Sequence, residues 1–216
     1  MMQYNNKVIV FDLDDTLYKE IDYLKSGFCK IAQNIGIEEA YQLMLDTYFR
    51  QGNPFETIIS KYQLHLTIGE LLDIYRKHQP IIHLDKDTEN TLAYLNEKYV
   101  LGLLTDGRSI TQRNKISSLG LQQFINESNI IISEEIGVTK LSEKGFLFFM
   151  TKFPRYNYYY IGDNPLKDFF IPNQLGWNTI CIIDDKRNIH KQDFNLNDEY
   201  LPKQTINNLS EILKDL

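Results

Sequence analysis

A chain of 216 residues is long enough to bury one α/β core together with an insertion. Its 43% hydrophobic and 24% charged residues fall in the ordinary globular range, which argues against both a disordered chain and a membrane span. The net charge of −6 argues against a nucleic-acid polymer as the main partner, because tracking a phosphate backbone takes a basic stripe.

Residues 7–11, KVIVF, form a β-branched run that stops abruptly at Asp12 and reads as a buried central strand. Only four apolar residues precede Asp12, too few for a secretory leader, so the expected location is the cytoplasm. From about residue 20 to 79 the pattern turns helical, with Tyr23, Phe28, Ile31 and Ile35 and then Ala40, Leu43, Met44 and Tyr48 near helical spacing. Turns at Gly36 and at Gly52, Asn53 and Pro54 divide these helices, and Thr67 with Glu70 is the spacing of a capping box. After Pro80 come a helix over 87–96 and strand-like runs at 100–104, 130–133, 158–161 and 179–183, with a short final helix over 210–216.

Strands alternating with helices predict a parallel sheet covered on both faces. The expected organisation is a core, residues 1–19 and 80–216, interrupted by a helical segment, residues 20–79. Cys29 and Cys181 belong to no metal-ligand or CxxC pattern and read as packed thiols. The four histidines, His65, His78, His83 and His190, show no ligand spacing and are expected to be without catalytic duty.

The chemistry concentrates where strand-like runs end. In DLDDTL, residues 12–17, Asp12 and Asp14 lie two apart and can face one site while Leu13 turns toward the core. Two such carboxylates repel each other, and a bound divalent cation resolves the repulsion. The segment GDNPLKD, residues 162–168, repeats the design after another β-rich run. If the two strands are neighbours, Asp163 lands beside Asp12 and the pair can hold Mg²⁺ through hard oxygen ligands. Thr105, Asp106, Gly107 and Arg108 follow a third run, where a hydroxyl and the N–H groups of a tight turn suit a phosphate. Lys140, in the loop after the fourth run, can neutralise phosphate charge; Lys144 competes for that role from inside the next helix.

DLDDTL at 12–17, LLTDG at 103–107, EEIGVTK at 134–140 and IGDNPLKD at 161–168 together resemble the four ordered motifs of the haloacid dehalogenase-like hydrolase superfamily. The resemblance spans the core from residue 7 to about 184, and the helical segment falls where one branch of the superfamily carries its cap. It implies a Rossmann-like, doubly wound parallel sheet of strand order 5-4-1-2-3. It also implies Asp12 as nucleophile, Asp14 as general acid and then base, and Thr105 and Lys140 as phosphoryl-binding residues. Mg²⁺ would be held by Asp12, Asp163 and the backbone carbonyl of Asp14, with Asp168 either supporting the metal or pairing with Lys140. Leu141 stands where similar proteins often have proline, and Asp106 where asparagine is frequent.

The implied activity is Mg²⁺-dependent hydrolysis of a small soluble phosphate monoester, with a phosphomutase or phosphotransferase, or a silent regulatory protein, as alternatives. Dehalogenation is disfavoured, since carbon–halogen displacement needs neither an acid at Asp14 nor a metal pair. The helical segment would act as a mobile lid whose turns select the substrate through Tyr18, Arg50, Asn53 and Phe55, joined by Arg108 from the core.

Overall fold

The computed structural model describes residues 6–214. The first five residues of the expected core and the last two of the expected final helix therefore lie outside the described residues. Strand β1 (Lys7–Phe11) is followed by helices α1 (Glu20–Ile35), α2 (Glu39–Phe49), α3 (Pro54–Tyr62), α4 (Ile68–Lys77) and α5 (Lys86–Lys98). The chain continues through β2 (Val100–Thr105), α6 (Ser109–Ser118), β3 (Ile130–Ile132), α7 (Ser133–Ile136) and α8 (Lys144–Lys152). It ends through β4 (Asn157–Gly162), α9 (Pro165–Asp168), α10 (Phe170–Gln174), β5 (Asn178–Ile182), β6 (Gln204–Ile206) and a 3₁₀ segment, Leu209–Lys214.

All six strands run parallel in the order β3-β2-β1-β4-β5-β6. Read from the other edge, this is the expected 5-4-1-2-3 with a sixth strand added beyond β5. Successive side chains of a strand point to opposite faces, and β1 uses both. Ile9 and Phe11 join Leu92, Leu95 and Ile116 on one side, whereas Val8 and Val10 join Phe146, Phe149 and Trp177 on the other. Helices α5 and α6 thus cover one face and α8 to α10 the other, leaving β1 buried at the centre.

Helices α1 to α4 are inserted between β1 and β2 and carry a separate apolar cluster of Phe28, Ile31, Met44, Ile58 and Leu71. The capping box expected from the sequence forms, Thr67 and Glu70 opening α4, and Asn53, expected only at a turn, caps α3 by accepting from the N–H groups of Phe55 and Glu56. His78 closes the insertion, buried with Nδ1 2.6 Å from the Tyr75 carbonyl and Nε2 3.2 Å from Ser26 Oγ. Burial pushes its pKa down, in keeping with a structural imidazole. No described helix is long and apolar enough to cross a membrane.

Candidate active site

Parallel register brings the ends of β1, β2 and β4 level, with Phe11 paired to Leu103 on one side and Ile161 on the other. The chain leaves β1 under control: the Asp12 N–H still donates to the Ile161 carbonyl at 2.8 Å, which places its carboxylate beside the β4 loop. Three residues on, Asp15 adopts φ 57°, a left-handed turn that is costly for a side chain other than glycine. Its carboxylate holds that turn by accepting from the N–H groups of Glu20, at the start of α1, and of Ile189.

Asp12, Asp163 and Asp168 converge, each offering a carboxylate oxygen within 4.8 Å of the others, and all three are buried. Lys140 enters this cluster, its ammonium 2.9 Å from Asp12 Oδ1 and 2.6 Å from Asp168 Oδ1. Lysine and aspartate are rarely buried unless paired, and here Lys140 is paired with both Asp12 and Asp168. Asp168 is firmly engaged: its Oδ2 accepts from the N–H groups of Asp163 and Asn164 at 3.2 and 2.8 Å while Oδ1 takes Lys140. Gly162 makes that approach possible, because a Cβ there would sit 2.6 Å from Asp168 Oδ2. Lys144 turns elsewhere and donates to the Ile136 carbonyl.

The electrostatics follow from the crowding. Burial pushes the Asp12 carboxyl up to about 7 against the pull of Lys140, and it pushes Asp163 up to about 9, aided by the charges of Asp168 and Asp12. Burial also works against the Lys140 ammonium, but Asp12 and Asp168 outweigh it and hold its pKa well above the ordinary range. A hard divalent cation fits this all-oxygen set, since it would offset the burial and the neighbouring charges that raise the two carboxyls.

Asp14 meets a different environment. Its Oδ1 accepts from Tyr18 Oη at 2.5 Å and from Lys115 Nζ at 2.7 Å, and its Oδ2 accepts from Gln112 Nε2 at 2.9 Å. Burial favours the neutral acid, yet Lys115 together with these hydrogen bonds holds the Asp14 carboxyl below its usual range. Gln112 also donates to Thr105 Oγ1 at 2.7 Å, which ties Asp14 to the end of β2. The Asp106 carboxylate accepts the Lys140 N–H at 3.0 Å, and the Gly107 N–H donates to Ser133 Oγ at 3.0 Å, so the turn after β2 has engaged that donor internally. At Gly107 φ is 154°, and a Cβ would press on Gln112 at 2.9 Å.

A cavity of about 140 Å³ opens over these groups, lined by Asp12, Asp14, Asp15, Glu20, Asp106, Lys140, Asp163, Asn164, Lys167 and His190. Sequence reasoning missed Glu20, Lys167 and His190 in this lining, as it missed Gln112 and Lys115 behind Asp14. Arg50, Asn53, Phe55 and Arg108 are not among its lining residues. Asn53 is used as a helix cap, Phe55 packs edge-on against Phe28 and Tyr75, Arg50 is exposed at the end of α2, and Arg108 lies 3.8 Å from Glu134.

A family model described as haloacid dehalogenase-like hydrolase matches residues 9–182, which include all four strand-end motifs. The chain belongs to that family. Among curated relatives, this hydrolase is 25% identical over 225 residues to the glyceraldehyde 3-phosphate phosphatase of Methanocaldococcus jannaschii, a match covering 96% of this chain and 95% of that protein. Among solved structures it shares the fold of the HAD-hydrolase YfnB from Bacillus subtilis bound to magnesium, with TM-score 0.67, 18% identity and 98% of each chain covered. It also shares the fold of a 2-haloacid dehalogenase from Pseudomonas syringae, with TM-score 0.64, 18% identity and 96% of each chain covered. The fold alone therefore serves more than one chemistry in this family, and the site residues must decide which one this hydrolase performs.

Proposed function

We propose that this hydrolase is a Mg²⁺-dependent phosphatase that cleaves a small phosphate monoester through an aspartyl phosphate on Asp12. The observation that carries the reading is the pairing of two carboxylates in one cavity with opposite environments. Asp12 lies among carboxylates and the Lys140 ammonium, and Asp14 is gripped by three donors. A cation held by Asp12 and Asp163 would keep Asp12 ionised for attack, while Asp14, held by separate donors in the same cavity, is placed to exchange protons.

In the first displacement an Asp12 oxygen attacks phosphorus, the bond to the ester oxygen breaks, and that oxygen takes a proton from Asp14, which takes one up from solvent as the anionic ester binds beside it. In the second, Asp14 removes a proton from water as the water attacks the aspartyl phosphate, which frees inorganic phosphate and restores Asp12. Lys140 and Thr105 bind the phosphoryl oxygens, Lys140 contributing charge already placed 2.9 Å from the nucleophile. Asp12, Asp163 and the Asp14 carbonyl would hold Mg²⁺, which would further neutralise the phosphoryl group. Asp168 acts by holding Lys140 and the β4 loop, since both of its oxygens are already taken.

Substrate size follows from the enclosure. A cavity of about 140 Å³ is well below the ~300–1,000 Å³ of sites for drug-sized ligands, which favours a short-chain ester over a nucleotide. The name of the Methanocaldococcus jannaschii relative supports glyceraldehyde 3-phosphate as the first compound to try. Helices α1 to α4, as a cap over residues 20–79, would shut water out during phosphoryl transfer, with Glu20 already at the rim. Phosphate release is therefore expected from glyceraldehyde 3-phosphate and similar small esters with Mg²⁺ and is expected to stop with EDTA. No release from any of them, or faster release from a phosphorylated protein, contradicts the reading.

The raised carboxyl pKa values give a second expectation. In the metal-free fold Asp12 and Asp163 hold protons up to about 7 and 9, whereas in the unfolded chain they release them near the ordinary ~3.9. Folding then takes up protons across this window, and stability conferred by these two groups falls as pH rises from about 4 to 9. Mg²⁺ competes with those protons, so the thermal stabilisation produced by excess Mg²⁺ should be larger at about pH 8 than at about pH 5.5. Melting curves with Mg²⁺ and with EDTA at both pH values check this; a larger shift at the lower pH contradicts it.

A further inference from the structure

Lys115 is 2% exposed, although it lies on α6, a helix whose sequence SITQRNKISS is mostly polar. Burying an ammonium costs several kcal/mol after relaxation, so a lysine held there needs compensating contacts. Its Nζ lies 2.7 Å from Asp14 Oδ1, 3.6 Å from Glu20 Oε1 and 4.4 Å from the ring centre of Tyr23. The ammonium therefore sits where α6, the loop after β1 and the first turns of α1 meet.

Three donors from separate places converge on the one carboxylate. Tyr18 comes from the same loop, Gln112 and Lys115 from one face of α6 about a hundred residues away. An aspartate on a loop is otherwise free to rotate about χ1 and χ2, and bonds to both of its oxygens remove that freedom. Gln112 shares its amide between Asp14 Oδ2 and Thr105 Oγ1, so the carboxylate is fixed relative to a phosphate-binding position as well.

We propose that Lys115, seconded by Gln112 and Tyr18, is the positioning residue that sets the orientation of the Asp14 carboxyl for proton exchange with the ester oxygen. This rests on the phosphatase reading above and adds to it a residue that none of the four motifs contains. Lys115 does not touch the substrate; it acts through Asp14. The competing role is structural, in which the ammonium only ties α6 to α1 through Glu20 and Tyr23.

Leaving groups with different needs for a proton separate the two. A p-nitrophenolate departs without one, whereas the alkoxide of glyceraldehyde 3-phosphate requires one. For each ester, kcat/KM reports the steps up to departure of the leaving group. With Mg²⁺ present, Lys115→Met is expected to lower kcat/KM for the alkyl ester by about 10²-fold and for p-nitrophenyl phosphate by about an order of magnitude less. Tyr18→Phe, which keeps its ring in the core, is expected to shift the ratio in the same direction by a few-fold, and Lys115→Arg to recover part of it. Equal losses on both esters, or a rise in the alkyl-to-aryl ratio, overturn the assignment. If Lys115→Met fails to fold by circular dichroism, the Tyr18→Phe ratio decides. A wild-type protein that hydrolyses neither ester overturns the phosphatase reading itself, a result distinct from equal losses in an active enzyme.

Discussion

Replacing Asp12 with asparagine is expected to abolish turnover, with a fall of roughly 10⁵-fold or more, the scale seen when the nucleophile of a covalent mechanism is removed. The amide cannot attack phosphorus, and it is a poorer ligand for a hard cation. The fold should survive, because the amide oxygen can still accept from Lys140 and because a neutral group replaces a buried charge crowded by Asp163 and Asp168. Asp14→Asn is expected to be milder, about 10²–10⁴-fold, since it removes proton transfer and leaves the nucleophile in place. Steady-state phosphate release by the purified variants, with folding checked by circular dichroism, measures both. Turnover by Asp12→Asn near the wild-type rate would rule out Asp12 as the nucleophile.

Asp168→Ala is expected to have the largest effect on stability. The residue is fully buried and accepts hydrogen bonds from Lys140 and from two backbone N–H groups of the β4 loop. Truncation leaves those donors unpaired and the Lys140 ammonium with Asp12 alone, a change of the kind that costs about 3–5 kcal/mol. For a chain of this size that corresponds to a fall in melting temperature of roughly 10 °C. Thermal unfolding of the variant against wild type in EDTA tests it, and a shift of under about 2 °C would show that the network is not a unit. Activity should fall as well, because the same loop carries Asp163 and the same lysine faces the nucleophile.

How much of this was legible beforehand depends on how local the signal is. β1 could be read because four consecutive apolar residues, Val8 to Phe11, end at a carboxylate, and its burial on both faces is what such a run means. The capping box at Thr67 and Glu70 was legible for the same reason, since its two partners lie three residues apart. β6 was not: Gln204, Thr205 and Ile206 make only a short half-polar strand, which exists because it pairs with β5. The alternative left open for Asp168, metal or lysine, turns on which way two oxygens point, and sequence carries no such information.

Lys115 and Gln112 illustrate the same limit more sharply. In SITQRNKISS they read as the solvated face of a polar helix, the usual place for such residues. Their burial arises only when α6 packs beside the loop after β1, a contact across about a hundred residues. Asn53 and Phe55 show a different limit. Their turn was located correctly, but capping and packing within the insertion already employ both side chains.

The proposed mechanism requires phosphoryl transfer to proceed through Asp12 in two displacements. The stereochemical course at phosphorus, followed with a phosphate ester made chiral by oxygen isotopes, tests this most directly. Two in-line displacements predict net retention of configuration in the phosphate transferred to an alcohol acceptor; net inversion would mean that the acceptor attacks the ester directly and would contradict the aspartyl-phosphate mechanism.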